Sequence, residues 1–195
     1  MGIPIINPKA HILKKYLNES LLQDPYNAKI LVPEWKRAEP QLQIQDCIMS
    51  ESPMHPKSKR MLLVWFFGCK KAYLYNPESG SFYYFGSLEF SRPLATCVLD
   101  VQVHKHGLNS GTLYLRDVFV WDNTYVSDLC FQDRKQICDL ICLNLTFQNA
   151  WLMYPCSFIY KLRHKKQDKL YYILYETFVP PYKVPHAIPH HQPYS

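Results

Sequence analysis

The sequence predicts an α+β domain dominated by antiparallel sheet, and three observations carry that prediction. Runs of β-branched and aromatic residues follow one another between residues 61 and 121, each closed by Gly, Pro, Asn or Ser. Helical spacing of apolar residues is confined to two stretches, 10–22 and 131–145. No internal repeat or low-complexity linker divides the 195 residues, so one domain with a substantial core is expected.

In chain order, residues 1–9 carry Pro4 and Pro8 and read as an irregular arm. Ile12, Leu13, Tyr16, Leu17 and Leu21 then share one helical face, with Lys14 and Lys15 opposite, and predict a short helix. AKILVPEW is extended up to Pro33. Residues 36–60 are polar and proline-rich around the strand-like LQIQDCIM, and SESPMHPKSKR is a loop holding a basic cluster, Lys57, Lys59 and Arg60. Cations at a loop edge suit contact with nucleic-acid phosphates, although a merely solvated basic loop has the same composition. MLLVWFF, KKAYLY and SFYYFGSLEF, punctuated by Gly68 and the turn NPESG, predict an antiparallel meander.

The chain is organised around the hairpin that follows, with strands at 96–103 and 112–121 and a Gly/Asn/Ser turn between them. Arg116 and Asp117 sit among apolar residues there, so they must be paired or face a solvated pocket. Ile137, Leu140, Ile141 and Leu145 predict an amphipathic helix of about three turns. NAWLMYPCSFIYKL and KLYYILYETFV read as two strands flanking the basic turn RHKKQDK, before a Pro- and His-rich tail. The expected organisation is therefore an arm and short helix over 1–24, a folded domain over 25–184 and an unordered tail over 185–195.

Composition narrows the partners. A formal charge of +6 favours an anionic partner such as RNA, with Lys and Arg spread along the chain rather than gathered in one run. Aromatic residues make up 15%, which supplies sheet bulk and also flat faces on which bases stack. The seven cysteines include no Cys-x-x-Cys, so free thiols in a reducing compartment are expected, cytoplasmic or nuclear. No signal peptide and no apolar run of membrane-spanning length is visible, and no membrane association is expected.

The catalytic searches return little. Gly-x-Gly-x-x-Gly, Walker-type loops, Gly-x-Ser-x-Gly and His-Glu-x-x-His are absent. His186, His190 and His191 lie among prolines where nothing would orient metal ligands, so neither a metal nor a cofactor is expected. Asp100 and Asp117 fall on facing strands, an arrangement that suits general acid–base work; a strand Asp more often pairs with a neighbour such as Arg116 or caps a turn.

The order of motifs carries more than any one of them. YNAKILVPEW, KRMLLV, Gly68, Ala72-Tyr73, Ser79-Gly80, then TCVLD, TLYLRDVFVW and DLCFQDR, and finally LMYPC and FVPPYKV follow one another over roughly residues 25–184. In that order they resemble the trimethylguanosine-cap-binding domain of the snurportin family, itself related to the guanylyltransferase domain of messenger RNA capping enzymes. The resemblance implies a nucleotidyltransferase-like fold and a binding module without transferase activity, since the covalent Lys-x-Asp-Gly motif of capping enzymes does not occur here.

In that family the cap base stacks on one tryptophan, helped by a serine, a second tryptophan and a lysine. Carried over position by position, the resemblance places the stacking tryptophan at Phe178, the second at Trp35, the serine at Pro33 and the lysine at Tyr75. Only Trp35 is unchanged, which implies weakened or diverged affinity. The expected partner is capped small nuclear RNA or its ribonucleoprotein, bound by a monomer that is both cytoplasmic and nuclear. The family's Arg-rich importin-β-binding helix has no counterpart in the two-lysine helix expected near residue 14, so importin-β binding is not expected. Two alternatives stand beside this expectation: a degenerate scaffold for protein contacts, and a nucleotidyltransferase-fold enzyme with Lys59 as nucleophile.

Overall fold

The structure is a computed structural model that describes residues 36–37, 47–51, 58–65, 71–77, 79–106, 111–147, 151–155, 158–159, 171–178, 180 and 186–189. The helix expected over 10–22 lies outside the described residues. The described residues form a strand-rich α+β fold with mostly antiparallel pairing and one helix.

The larger sheet is built from a continuous part of the chain. It contains β3 (Ser58–Trp65), β4 (Lys71–Asn76), β5 (Ser81–Phe90), β6 (Cys97–Lys105), β7 (Gly111–Trp121), β8 (Thr124–Tyr125), β9 (Leu145–Phe147) and β10 (Trp151–Pro155). Its spatial order is β10-β7-β6-β3-β4-β5-β9, with β8 folded back on β7. The expected meander is present as β3–β4–β5, antiparallel throughout, and its NPESG turn closes with the Gly80 amide donating to the Asn76 carbonyl at 2.9 Å. Gly80 takes φ 64°, where a Cβ would be disfavoured.

The expected hairpin is β6–β7, and β3 pairs with its other edge, which makes β6 a central strand. Met61, Leu62, Leu63 and Val64 are all buried, so both faces of β3 are covered. Continuous apolar runs are the mark of such strands. Two irregularities in the β6–β7 register, between Val98 and Leu99 and between Asp100 and Val101, leave extra residues on β7.

Helix α1 (Phe131–Asn144) lies where a helix was expected, but its buried face differs from the predicted stripe: it buries Phe131, Arg134, Cys138 and Ile141, whereas Leu140 is exposed and Leu145 belongs to β9. It packs on β7 and β10. β10 runs parallel to β7, a pairing the antiparallel expectation lacks. Parallel neighbours need a crossover, and α1 supplies it. Cys138 and Ile141 join Leu63, Leu99, Val101, Leu113, Leu115 and Val118 in the core between helix and sheet.

The smaller sheet draws on the flanking parts of the chain. β1 (Lys36–Arg37), β13 (His186–Pro189), β12 (Tyr171–Glu176), β2 (Cys47–Glu51) and β11 (Phe158–Ile159) stand in that order. Residues 186–189 were expected within an unordered tail; instead they pair antiparallel with β12 and parallel with β1. The backbone N–H of Gln132 at the start of α1 donates to the carbonyl of Thr177, just after β12, at 3.1 Å.

Candidate nucleic-acid interface

Of the residues proposed to hold a cap, Trp35 and Pro33 lie outside the described residues, as does Lys57 of the basic cluster. Phe178 is 74% exposed. The preceding residue, Thr177, is buried, and its carbonyl is the one held by Gln132, so the backbone beneath the Phe178 ring is tied to the start of α1. A large apolar ring presented to solvent from an anchored backbone is the geometry a stacking platform needs.

Tyr75 is placed differently. On β4 it stands opposite Leu62 on one side and Phe82 on the other, is 7% exposed, and packs on the Phe82 ring with centroids 4.7 Å apart. Burial pushes its phenol pKa up. Tyr75 is an aromatic brace within the sheet.

The basic pair at the start of β3 divides by face. Lys59 is exposed. Arg60 is half-buried and makes a two-pronged ion pair with Asp100, Nε to Oδ1 at 2.8 Å and Nη2 to Oδ2 at 3.0 Å. Planar guanidinium–carboxylate pairs of this kind hold geometry firmly.

Asp100 and Asp117 do face each other across β6 and β7, as expected from the sequence. Each is nevertheless bound to an arginine. Asp117 accepts from Arg134 Nε at 2.9 Å and Nη2 at 3.1 Å, and from the Val118 amide at 2.8 Å. Arg134 also donates to the Leu129 carbonyl at 2.6 Å, with its guanidinium 5.4 Å from the Phe131 ring centroid. Burial pushes the Asp117 carboxyl above its ordinary value, opposed by the charge and hydrogen bonds of Arg134, while the charge of Asp100 adds to the upward push. The sequence reading named Arg116 as a neighbouring partner for these carboxylates. The structure gives Arg60 and Arg134 in that role, and Arg116 reaches the Gln102 side chain at 3.5 Å.

A group of residues passed over as turn punctuation gathers at one end of the large sheet. His104 and His106 stack at 4.8 Å between centroids, and His106 Nε2 shares a 2.8 Å hydrogen bond with Thr112 Oγ1. Lys105 lies between them, and Lys59 stands across from Val103 on β3. The His-Lys-His run at a strand end was the available signal. A second aromatic–cation contact, Lys71 Nζ at 5.9 Å from the exposed Tyr84 ring, lies on the β4–β5 side.

Among the described residues, no group of three or more His, Cys, Asp and Glu side chains gathers to hold a metal ion. Nor, among those residues, is any helix long and apolar enough to cross a membrane. No family model matches the chain, and no curated protein matches it.

Proposed function

We propose that the chain is a non-catalytic RNA-cap-binding protein of the snurportin type, with a nucleotidyltransferase-like fold, that recognises the trimethylguanosine cap of small nuclear RNA with diverged affinity. The observation that carries the proposal is Phe178, a ring 74% exposed on an anchored backbone at the position the resemblance assigns to base stacking. A positively charged methylated guanine stacks on such a face through dispersion and cation–π attraction. Lys59 at the sheet end adds a cation for the phosphates.

The test is a titration with labelled trimethylguanosine-capped, monomethyl-capped and uncapped oligonucleotides. Trimethyl-capped RNA is expected to bind tightest, and Phe178→Ala to weaken it by about 1–3 kcal/mol. Equal affinity for all three ligands sinks the proposal.

One specific observation favours a second reading. Tyr75 and Arg60, both named as contact residues, are committed to Phe82 and Asp100 inside the domain. A scaffold that keeps the fold for protein contacts needs neither, and a Phe178→Ala variant that binds capped RNA as well as the parent supports the scaffold.

A further inference from the structure

Helix α1 carries two stripes at helical spacing, and only one of them is buried. Phe131, Arg134, Cys138 and Ile141 are buried, whereas Asp133, Gln136, Leu140 and Leu143 repeat the same spacing on the opposite side and are exposed. Leu140 is 48% exposed and Leu143 83%. Single exposed leucines are ordinary, but these two sit three residues apart on a helix, so their side chains form one patch. The face around them leans negative, in a chain whose formal charge is +6. Asp133 is exposed, and the Asp139 side chain, paired with Lys135 at 2.7 Å, is still 43% exposed. The last turn of α1 holds no basic residue, so nothing within the helix offsets the negative end of its dipole. An apolar, cationic occupant suits such a face.

We propose that residues 10–22 of this chain seat on that face as a helix antiparallel to α1. Their sequence groups Ile12, Leu13, Tyr16 and Leu17 on one side, an apolar stripe to meet Leu140 and Leu143. Residues 10–22 rise about 20 Å as a helix and α1 about 21 Å, so the two match in length. From residue 9 to residue 22 the sequence holds Lys9, Lys14 and Lys15 against Glu19, a positive balance that complements the face. Antiparallel seating sets Ile12 and Leu13 on Leu143 and Tyr16 on Leu140, and it brings Lys9 to the end of α1 that lacks a cation. Residues 23–35 join the segment to β1 and can span about 43 Å, twice the length of α1. A second copy of the chain fits less well, because it offers only the same acidic face.

The experiment is amide hydrogen exchange on the full chain, read over residues 10–22 and compared with a synthetic peptide of residues 9–23. In wild type the segment is expected to exchange about tenfold or more slowly than the free peptide. Leu140→Glu/Leu143→Glu, at two positions turned away from the core, is expected to bring it within about twofold of the free peptide while β6 and β7 keep their protection. Leu13→Glu/Leu17→Glu gives the same release without touching α1, so a fault in the folding of α1 cannot decide the result. Exchange in wild type as fast as in the free peptide overturns the proposal. So does slowed exchange that survives either double substitution. Slowing that grows with protein concentration, together with a doubled mass in sedimentation, assigns the face to a second copy and also overturns it. No RNA is present, so the result stands apart from the cap titration.

Discussion

Two side chains govern what single substitutions do to the hairpin. Arg134 and Asp117 are 2% and 1% exposed as side chains, and each satisfies the other's charge. Arg134→Ala leaves a buried carboxylate without its guanidinium, and urea unfolding is expected to register a loss of about 3–5 kcal/mol. The Arg134→Met/Asp117→Leu pair is expected to recover most of that loss, because neither position then buries a charge without its partner. Asp122 behaves differently. It accepts from the Ala95 amide at 2.7 Å and pairs with Arg92 at 2.7 Å, and these contacts, the amide first, hold its carboxyl below the ordinary value of 3.8. The folded state therefore gains from Asp122 above the unfolded value, and the gain is lost as pH falls through the lower folded value. The difference in unfolding midpoint between wild type and Asp122→Asn should be full at neutral pH and close in acid. At this scale the sequence disclosed that the polar residues needed partners. It did not disclose which ones, because Arg60 and Arg134 arrive from distant elements.

Elements were legible where one signal dominated. The β6–β7 hairpin and the β3–β4–β5 meander carry apolar strand runs and turn residues, whereas α1 was placed correctly on a stripe of which Leu140 proves exposed and Leu145 part of β9. The parallel placement of β10 was not legible, since a strand's own sequence says little about the direction of its neighbour. β13 was hidden by Pro189 at its end and by the prolines around it in the sequence, a composition that reads as disorder, although the strand pairs on both sides. The start of α1 offers a further test. Cys130 occupies the N-cap position with extended φ and ψ and makes no capping hydrogen bond, its thiol instead meeting the Asp133 carboxylate at 3.1 Å. The Gln132 amide is already held by Thr177, so Cys130→Ser places a good acceptor at the Asp133 amide, and thermal unfolding should register a gain of about 0.5–1 kcal/mol.

For the molecule as a whole, the apolar strand runs and the single described helical stretch conveyed a mixed, sheet-rich α+β fold. The candidate site was only partly legible. Phe178 is exposed as a stacking residue must be, whereas Tyr75 is turned into the sheet, because a ladder of Leu62, Tyr75 and Phe82 packs its ring better than solvent does. The cysteines fit the expectation of free thiols at every described position, and burial takes Cys97 up to about 12, out of reach of ordinary thiolate chemistry.

The division of the chain between the sheets also sets an order of assembly on the ribosome. The large sheet spans 58–155 without interruption, whereas the small one joins strands near residues 36 and 47 to strands near 171 and 186. At about 5–20 residues per second, β2 waits on the order of ten seconds after its own synthesis before β12 exists to pair with it. Through that interval the early strands have no ladder partner from the late segment. A chain truncated before residue 171 would carry every strand of the large sheet and a β2 paired only with the two-residue β11, its β12 edge open to whatever chaperone or neighbouring strand reaches it first.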